Sequence, residues 1–343
     1  MKRLWLRVKA LLVRAWRLLF PREVAPGRFE EGRAASWRGG IATAPLVEAA
    51  RDYLVYVPRG WSRWRRAPLV VLCHGCRQSA EEFAALTHVA ERADREGWLV
   101  LLPRQTSAAN AWGCWNWFEA HTERGAGEAA IVAAQIVAVR RRYRAKRERV
   151  WAAGLSSGGA LCAVLGLRHP RLVRGVLAHS GLACGAASSA AKALFGMQHG
   201  PDHDVARTGA AARAAQRDDP PLPVALLVVH GDGDEVVGPG NGIGLVHQYL
   251  RFNAHPAGAA DYAPNAALPP SDASSGEPRE GAAERYAIRV ADWKSGEGII
   301  VRHVAIDGLG HAWSGGDAAF PYADPRGPDA LDLLARFATE AAA

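Results

Sequence analysis

From residue 51 onward the sequence alternates short apolar runs with longer stretches of helical pattern, and few folds accept that alternation. Strands are predicted at residues 52–57, 69–73, 99–102, 150–153, 175–178, 224–229 and 299–306. These runs are rich in Val and Leu and largely unbroken, as strands covered on both faces are. Between them, Ser79-Ala80-Glu81-Glu82 has the form of a capping box, predicting one helix from there to about residue 96, with Gly97 as its stop. A second helix is predicted over 127–146, where Arg140, Arg141, Arg142, Arg144 and Lys146 load the negative end of the dipole. Others are predicted over 158–169, 241–253 and 329–341. Strands that alternate with helices imply an α/β chain: a mostly parallel central sheet with helices on both faces.

The 343 residues, 49% of them hydrophobic, supply one large core. No internal repeat and no Pro/Ser-rich linker divides the chain. The expected organisation is an arm at 1–22, a connecting segment at 23–50 and one domain at 51–343. Two insertions break its rhythm. Residues 182–222 are Ala-rich and read as a helical lid. Residues 255–284, rich in Ala, Pro, Ser, Gly and Glu, read as a flexible surface loop.

The formal charge of +8 is unevenly placed. Lys2, Arg3, Arg7, Lys9, Arg14, Arg17 and Arg22 fall in the arm, which has no acid, and the rest of the chain is nearly neutral. The excess therefore gives no reason to expect a nucleic-acid partner. At helical spacing Leu4, Val8, Leu11, Leu12, Ala15, Leu18 and Leu19 share one face of the arm and the bases take the other. Those bases exclude a membrane-spanning helix and a clean signal peptide. The pattern suits contact with a membrane or polymer-granule surface, against the alternatives of docking on the protein's own body or a misplaced start codon. The five cysteines, Cys73, Cys76, Cys114, Cys162 and Cys184, show no zinc spacing, so no metal and no cofactor is expected.

Gly154-Leu155-Ser156-Ser157-Gly158 has the form G-x-S-x-G. The register selects Ser156, because Ser157 would need glycine at 155. A predicted strand enters the motif and a predicted helix leaves it, which is the setting of a nucleophile elbow. A serine hydroxyl needs a base to take its proton, and on this arrangement an acid and then a histidine follow in the chain. His311 in D-G-L-G-H-A-W-S-G-G comes after the last strand and is the candidate base; the other eight later histidines read as satisfied structural residues. The run at 224–229 leads into H-G-D-G-D-E-V-V, where Asp234 is the candidate acid and Asp232 the turn former. Asp307 is the runner-up acid, though its closeness to His311 suits loop shaping better. The developing oxyanion needs two donors. They are expected from the Ser157 N–H and from Cys76 N–H in His74-Gly75-Cys76-Arg77-Gln78, with His74 shaping that loop.

Taken together, G-L-S-S-G-G-A, L-C-H-G-C-R-Q, C-W-N-W-F, H-G-D-G-D-E-V-V and G-H-A-W-S-G-G…Y-A-D-P-R-G-P-D-A resemble the polyhydroxybutyrate depolymerase family of esterases, in order over roughly residues 50–338. The resemblance implies an α/β-hydrolase fold and hydrolysis of short-chain 3-hydroxyalkanoate esters, with feruloyl and acetylxylan esterases as relatives. It implies the triad Ser156, Asp234 and His311, a disulfide between Cys76 and Cys114 that pins the oxyanion loop to the substrate wall, and a pocket lined by Trp115, Trp117 and Trp313. An alternative is that one of these tryptophans is core.

Secreted polymer depolymerases of this type carry a linker and a separate adsorbing domain, and this sequence ends at its last predicted helix. Soluble hydroxyalkanoate oligomers or small esters are therefore the expected substrates. The family is largely exported, which implies an extracellular or periplasmic location, although the arm also fits a membrane-surface or cytoplasmic protein. Two other functions are weighed. A serine peptidase of the prolyl-oligopeptidase kind would carry a propeller domain, for which residues 23–50 are too short. A non-catalytic surface-binding protein would not need a complete triad.

Overall fold

The computed structural model describes residues 25–35, 50–277 and 285–341. The amphipathic arm at 1–22 lies outside the described residues. In chain order the strands are β1 (Arg28–Ala35), β2 (Ala50–Val57), β3 (Leu69–Cys73), β4 (Leu99–Pro103), β5 (Val150–Leu155), β6 (Gly175–His179), β7 (Ala225–Gly231), β8 (Ala273–Glu277), β9 (Ile288–Ser295), β10 (Gly298–Ile306), β11 (Trp313–Ser314) and β12 (Ala323–Asp324). The helices are α1 (Ala80–Leu86), α2 (Val89–Glu96), α3 (Ala120–Glu123), α4 (Gly127–Tyr143), α5 (Ser157–Arg168), α6 (Ala190–His199), α7 (Val205–Ala214), α8 (Gly240–Phe252) and α9 (Ala330–Glu340).

Ten strands make one sheet in the order β1-β2-β4-β3-β5-β6-β7-β10-β9-β8. The six strands from β4 to β10 are mutually parallel. The outer strands at each end are antiparallel. All seven predicted strands are present, and those of the parallel centre are buried along nearly their whole length. That is the pattern of a sheet covered by helices on both faces, and it explains why these strands read as continuous apolar runs. Because the centre is parallel, β3, β5, β6, β7 and β10 all deliver their following loops to one edge.

Three expectations are corrected. The connecting segment at 23–50 is in part a strand: β1 pairs with β2, with Glu30 opposite Val55 and Gly32 opposite Tyr53. As an edge strand it needs only one protected face, so its charges hid it. Gly32 is required there, since a Cβ would lie 2.3 Å from the Tyr53 ring. The single helix expected to about residue 96 is two helices. Thr87 Oγ1 donates to Phe83 O at 2.8 Å, closing α1 early, and His88 takes a left-handed φ of 50° before α2 begins. The surface loop at 255–284 contains β8, which pairs with β9. The Ala-rich stretch at 182–222 is indeed helical, and α6 and α7 are docked. Asn241 Nδ2 on α8 donates to Met197 O at 2.8 Å and Gly196 O at 3.0 Å, and Gly238 N–H to Met197 O at 2.7 Å. These bonds dock the segment beside the loop that follows β7.

The docking of α7 on α8 depends on Gly209, where a Cβ would stand 2.2 Å from the Gln248 carbonyl oxygen. Gly209→Ala is expected to lower stability by about 1–3 kcal/mol through overpacking, read as a lower midpoint in urea unfolding.

Candidate active site

The edge where the parallel strands end is built first by close backbone contact. β5 turns into α5 within one residue, Ser156, whose φ is 57° and ψ −122°. For a residue with a Cβ this left-handed backbone is strained, and strain of this kind persists only when the surroundings over-determine it. Here they do. The Ser156 N–H donates to His179 O at the end of β6 at 2.9 Å. A Cβ at Gly158 would lie 2.3 Å from Cys73 O, and one at Gly154 would lie 2.5 Å from the Gly158 carbonyl carbon. The glycines of the motif thus let the first turn of α5 sit directly against β3. Ser157 opens α5, so its N–H is one of the amides without an intrahelical acceptor.

The loop after β3 runs beside Ser156: a Cβ on Gly75 would be 3.6 Å from Ser156 Cβ. Gly75 N–H donates to Gln78 Oε1 at 2.8 Å. His74 shapes this loop, as expected, with Nδ1–H donating to Gly75 O at 2.8 Å and Nε2 accepting from Gln105 N–H at 3.3 Å. Burial keeps His74 below its ordinary pKa, so the ring stays neutral and can accept. A disulfide joins Cys76 to Cys114. Ser157 Oγ adds a clasp, donating to Cys76 Sγ at 3.4 Å and accepting from Trp115 N–H at 3.3 Å. The second serine therefore ties the loop after β3 to the Cys114–Trp115 segment through its side chain.

Across the edge, His311 Nδ1 lies 2.8 Å from Asp234 Oδ2. The Asp234 side chain is fully buried, and its Oδ1 accepts from Val236 N–H at 3.0 Å and Val237 N–H at 2.8 Å. Burial alone would raise the Asp234 pKa. The hydrogen bond and charge of His311, with help from His230 and the Val237 amide, outweigh it and hold the carboxyl below its ordinary value. Asp234 is thus an anion at neutral pH, aligned on one nitrogen of the imidazole. The competing acids are occupied elsewhere: Asp307 Oδ1 and Asp232 Oδ2 both pair with Arg289, and Asp232 Oδ1 accepts from Gly308 N–H at 2.6 Å.

The three tryptophans are packed as core. Trp115 is 1% exposed and its Nε1–H donates to His74 O at 3.0 Å. Trp117 is 3% exposed and packs edge-on against Phe118. Trp313 is 1% exposed, stacked on His179 and edge-on to Phe83. All three are corrections, since each ring is buried where a pocket lining was expected, and Trp115 supports the loop after β3 from behind.

Sequence reasoning missed a layer behind these groups. His230 Nε2–H donates to Val237 O at 2.7 Å and stands 3.7 Å from Asp234 Oδ2, bracing the acid's loop. Glu128 accepts from Asn116 N–H at 2.6 Å and Gln105 Nε2 at 2.5 Å, fixing the Cys114–Asn116 wall. Nothing local marks either residue, because each is defined by partners far off in the chain.

Known proteins resemble this chain in sequence and in fold. The family model described as Esterase PHB depolymerase matches residues 51–265. The chain is 30% identical over 200 residues to Poly(3-hydroxyalkanoate) depolymerase C of Paucimonas lemoignei, covering 58% of this chain and 47% of that protein. It is 27% identical over 143 residues to Feruloyl esterase B of Neurospora crassa, covering 39% of this chain and 49% of that one. This chain spans about half the length of these relatives. The acetyl xylan esterase from Aspergillus awamori shares the α/β-hydrolase fold, with a TM-score of 0.65 at 17% identity, over 84% of this chain and 94% of its own.

The Cys76–Cys114 bridge closes a separation of 38 residues, for which a stabilisation of about 2–4 kcal/mol is expected. The double variant Cys76→Ser, Cys114→Ser should unfold at correspondingly lower urea, and the wild type should follow it when dithiothreitol is added. Coincident unfolding curves with and without reductant would contradict the bridge.

Proposed function

The chain belongs to the Esterase PHB depolymerase family, and from that premise we propose that it is a serine carboxylesterase working through an acyl-enzyme. One observation carries the reading: a buried, ionised Asp234 aligned on His311 at the same sheet edge that displays Ser156 on a strained elbow. In this mechanism His311 takes the Ser156 hydroxyl proton as Oγ attacks the ester carbonyl carbon. The backbone N–H groups of Cys76 and Ser157 hold the oxyanion. Protonated His311 then hands its proton to the departing alkoxide, and water, deprotonated by the same ring, cleaves the acyl-enzyme. Asp234 keeps the imidazole oriented and stabilises its charged form throughout.

For substrate we propose short-chain 3-hydroxyalkanoate esters, as soluble oligomers or small esters, a choice supported by the named activity of the Paucimonas lemoignei relative. A feruloyl- or acetylxylan-type ester is the second reading, supported by the likeness to Feruloyl esterase B. The Cys76–Cys114 bridge supports an oxidising, extracellular or periplasmic setting.

Ser156→Ala should lower kcat on p-nitrophenyl butyrate by about 10⁶-fold if the triad acts as a unit. Asp234→Asn should lower it by about 10⁴-fold while the fold is retained. A fluorophosphonate probe should label the wild type and leave Ser156→Ala unlabelled; an unlabelled wild type would point to a non-catalytic binder. Hydroxybutyrate oligomers, butyrate, acetate and feruloyl esters compared side by side then rank the acyl groups, and the hydroxybutyrate substrates should lead in kcat/KM.

A further inference from the structure

We infer that His179 is a positioning residue that locks the loop carrying His311 to the elbow carrying Ser156, an inference that rests on the serine-esterase reading above. His179 ends β6 and is wholly buried. Its backbone carbonyl accepts the Ser156 N–H at 2.9 Å. Its ring Nε2 lies 3.0 Å from the Ser314 N–H, three residues beyond His311. One residue therefore binds the nucleophile's backbone with its own backbone and the base's loop with its side chain.

The arrangement has a defined tautomer. An amide N–H can only donate, so Nε2 must be the acceptor and the ring proton belongs on Nδ1. Nδ1 has its own acceptor, Ser180 Oγ at 3.3 Å. Ser180 sits in the left-handed region with φ 47°, and its N–H is tied to Val229 O at 2.9 Å. Two neighbouring strands thus end in strained serines, one displayed as the nucleophile and one turned to hold the ring of His179. Trp313 stacks on that ring with centroids 5.2 Å apart and planes at 27°, so the imidazole has no room to pivot. On the far side of the loop, Ser314 Oγ donates to Pro328 O at 2.5 Å. The base loop is held between these two anchors.

The ring must stay neutral for this to work, since a proton on Nε2 would face the Ser314 N–H donor to donor. Burial pushes the His179 pKa down to about 3, and repulsion from His230 and His311 acts in the same direction. A side chain present only to fill space would need neither the acceptor nor the tautomer, and phenylalanine would serve as well.

The test uses the full chain, with sites counted by fluorophosphonate labelling taken to its endpoint. His179→Phe keeps the stack on Trp313 and loses the acceptor; His179→Gln offers an amide oxygen in its place. Misplacement of catalytic groups by an ångström or so costs on the order of 10²-fold. His179→Phe is therefore expected to lose about that factor in kcat per labelled site, with KM held within about twofold, and His179→Gln to regain at least ~10-fold. Wild-type kcat in His179→Phe overturns the inference. So does a loss shared between kcat and KM that glutamine fails to rescue. Should His179→Phe not fold, Ser180→Gly decides: it relaxes the backbone, keeps the ring and removes the Nδ1 acceptor. A fall of several-fold in kcat at constant KM is then expected, and an unchanged kcat overturns the inference. A wild type that takes no label and loses nothing in Ser156→Ala sinks the esterase reading itself, which is a different result.

Discussion

The site depends on an approach of backbone to backbone that leaves no space for a side chain. The first turn of α5 lies against Cys73 O on β3, and Gly154 lies against Gly158, so that a single added carbon at either glycine would overlap peptide atoms of a neighbouring segment. With that contact in place the chain has to turn from strand to helix within one residue, and Ser156 has to take up positive φ. Its neighbour Ser157 opens a helix whose first amides lack intrahelical acceptors. The strain is small against the burial of β3, β5 and β6, which pins the elbow from both sides.

Around this rigid centre the polar groups are arranged in tiers. Asp234 meets His311, two backbone amides meet Asp234, and His230 braces the carbonyl of Val237. On the other flank Glu128 and Gln105 hold the wall that the disulfide joins to the loop after β3. A group that stabilises charge during reaction works best when it does not have to reorganise.

Much of this was legible in the sequence, for a physical reason. Parallel central strands must be apolar throughout, so 69–73, 150–153 and 224–229 announced themselves. An elbow needs glycines at fixed offsets, so Ser156 did as well. Asp234 and His311 could be placed because parallel strands send their loops to one edge. What escaped was structure defined by its partners. β1 carries Glu30, Glu31 and Arg33 because an edge strand needs apolar residues on one side at most. The α1–α2 break follows from one hydroxyl, that of Thr87, reaching back to Phe83 O. His179, His230 and Glu128 carry no local signature, for their roles lie in bonds to residues dozens of positions away. The family resemblance assigned Trp313 to a pocket, and the core claimed it.

The antiparallel margins of the sheet have a bearing on colloidal behaviour. Among the described residues the ten-stranded sheet ends twice, and a sheet margin carries a row of main-chain groups that another molecule could zip onto. Here one margin is β1, with two glutamates, an arginine and a glycine in its middle. The other is β8, whose sequence Ala273-Ser274-Ser275-Gly276-Glu277 is short and poor in β-forming side chains. Charged side chains and small size both discourage strand-to-strand growth. The protein thus keeps a deeply apolar sheet at its centre while presenting to its neighbours two borders on which a fibril has little to build.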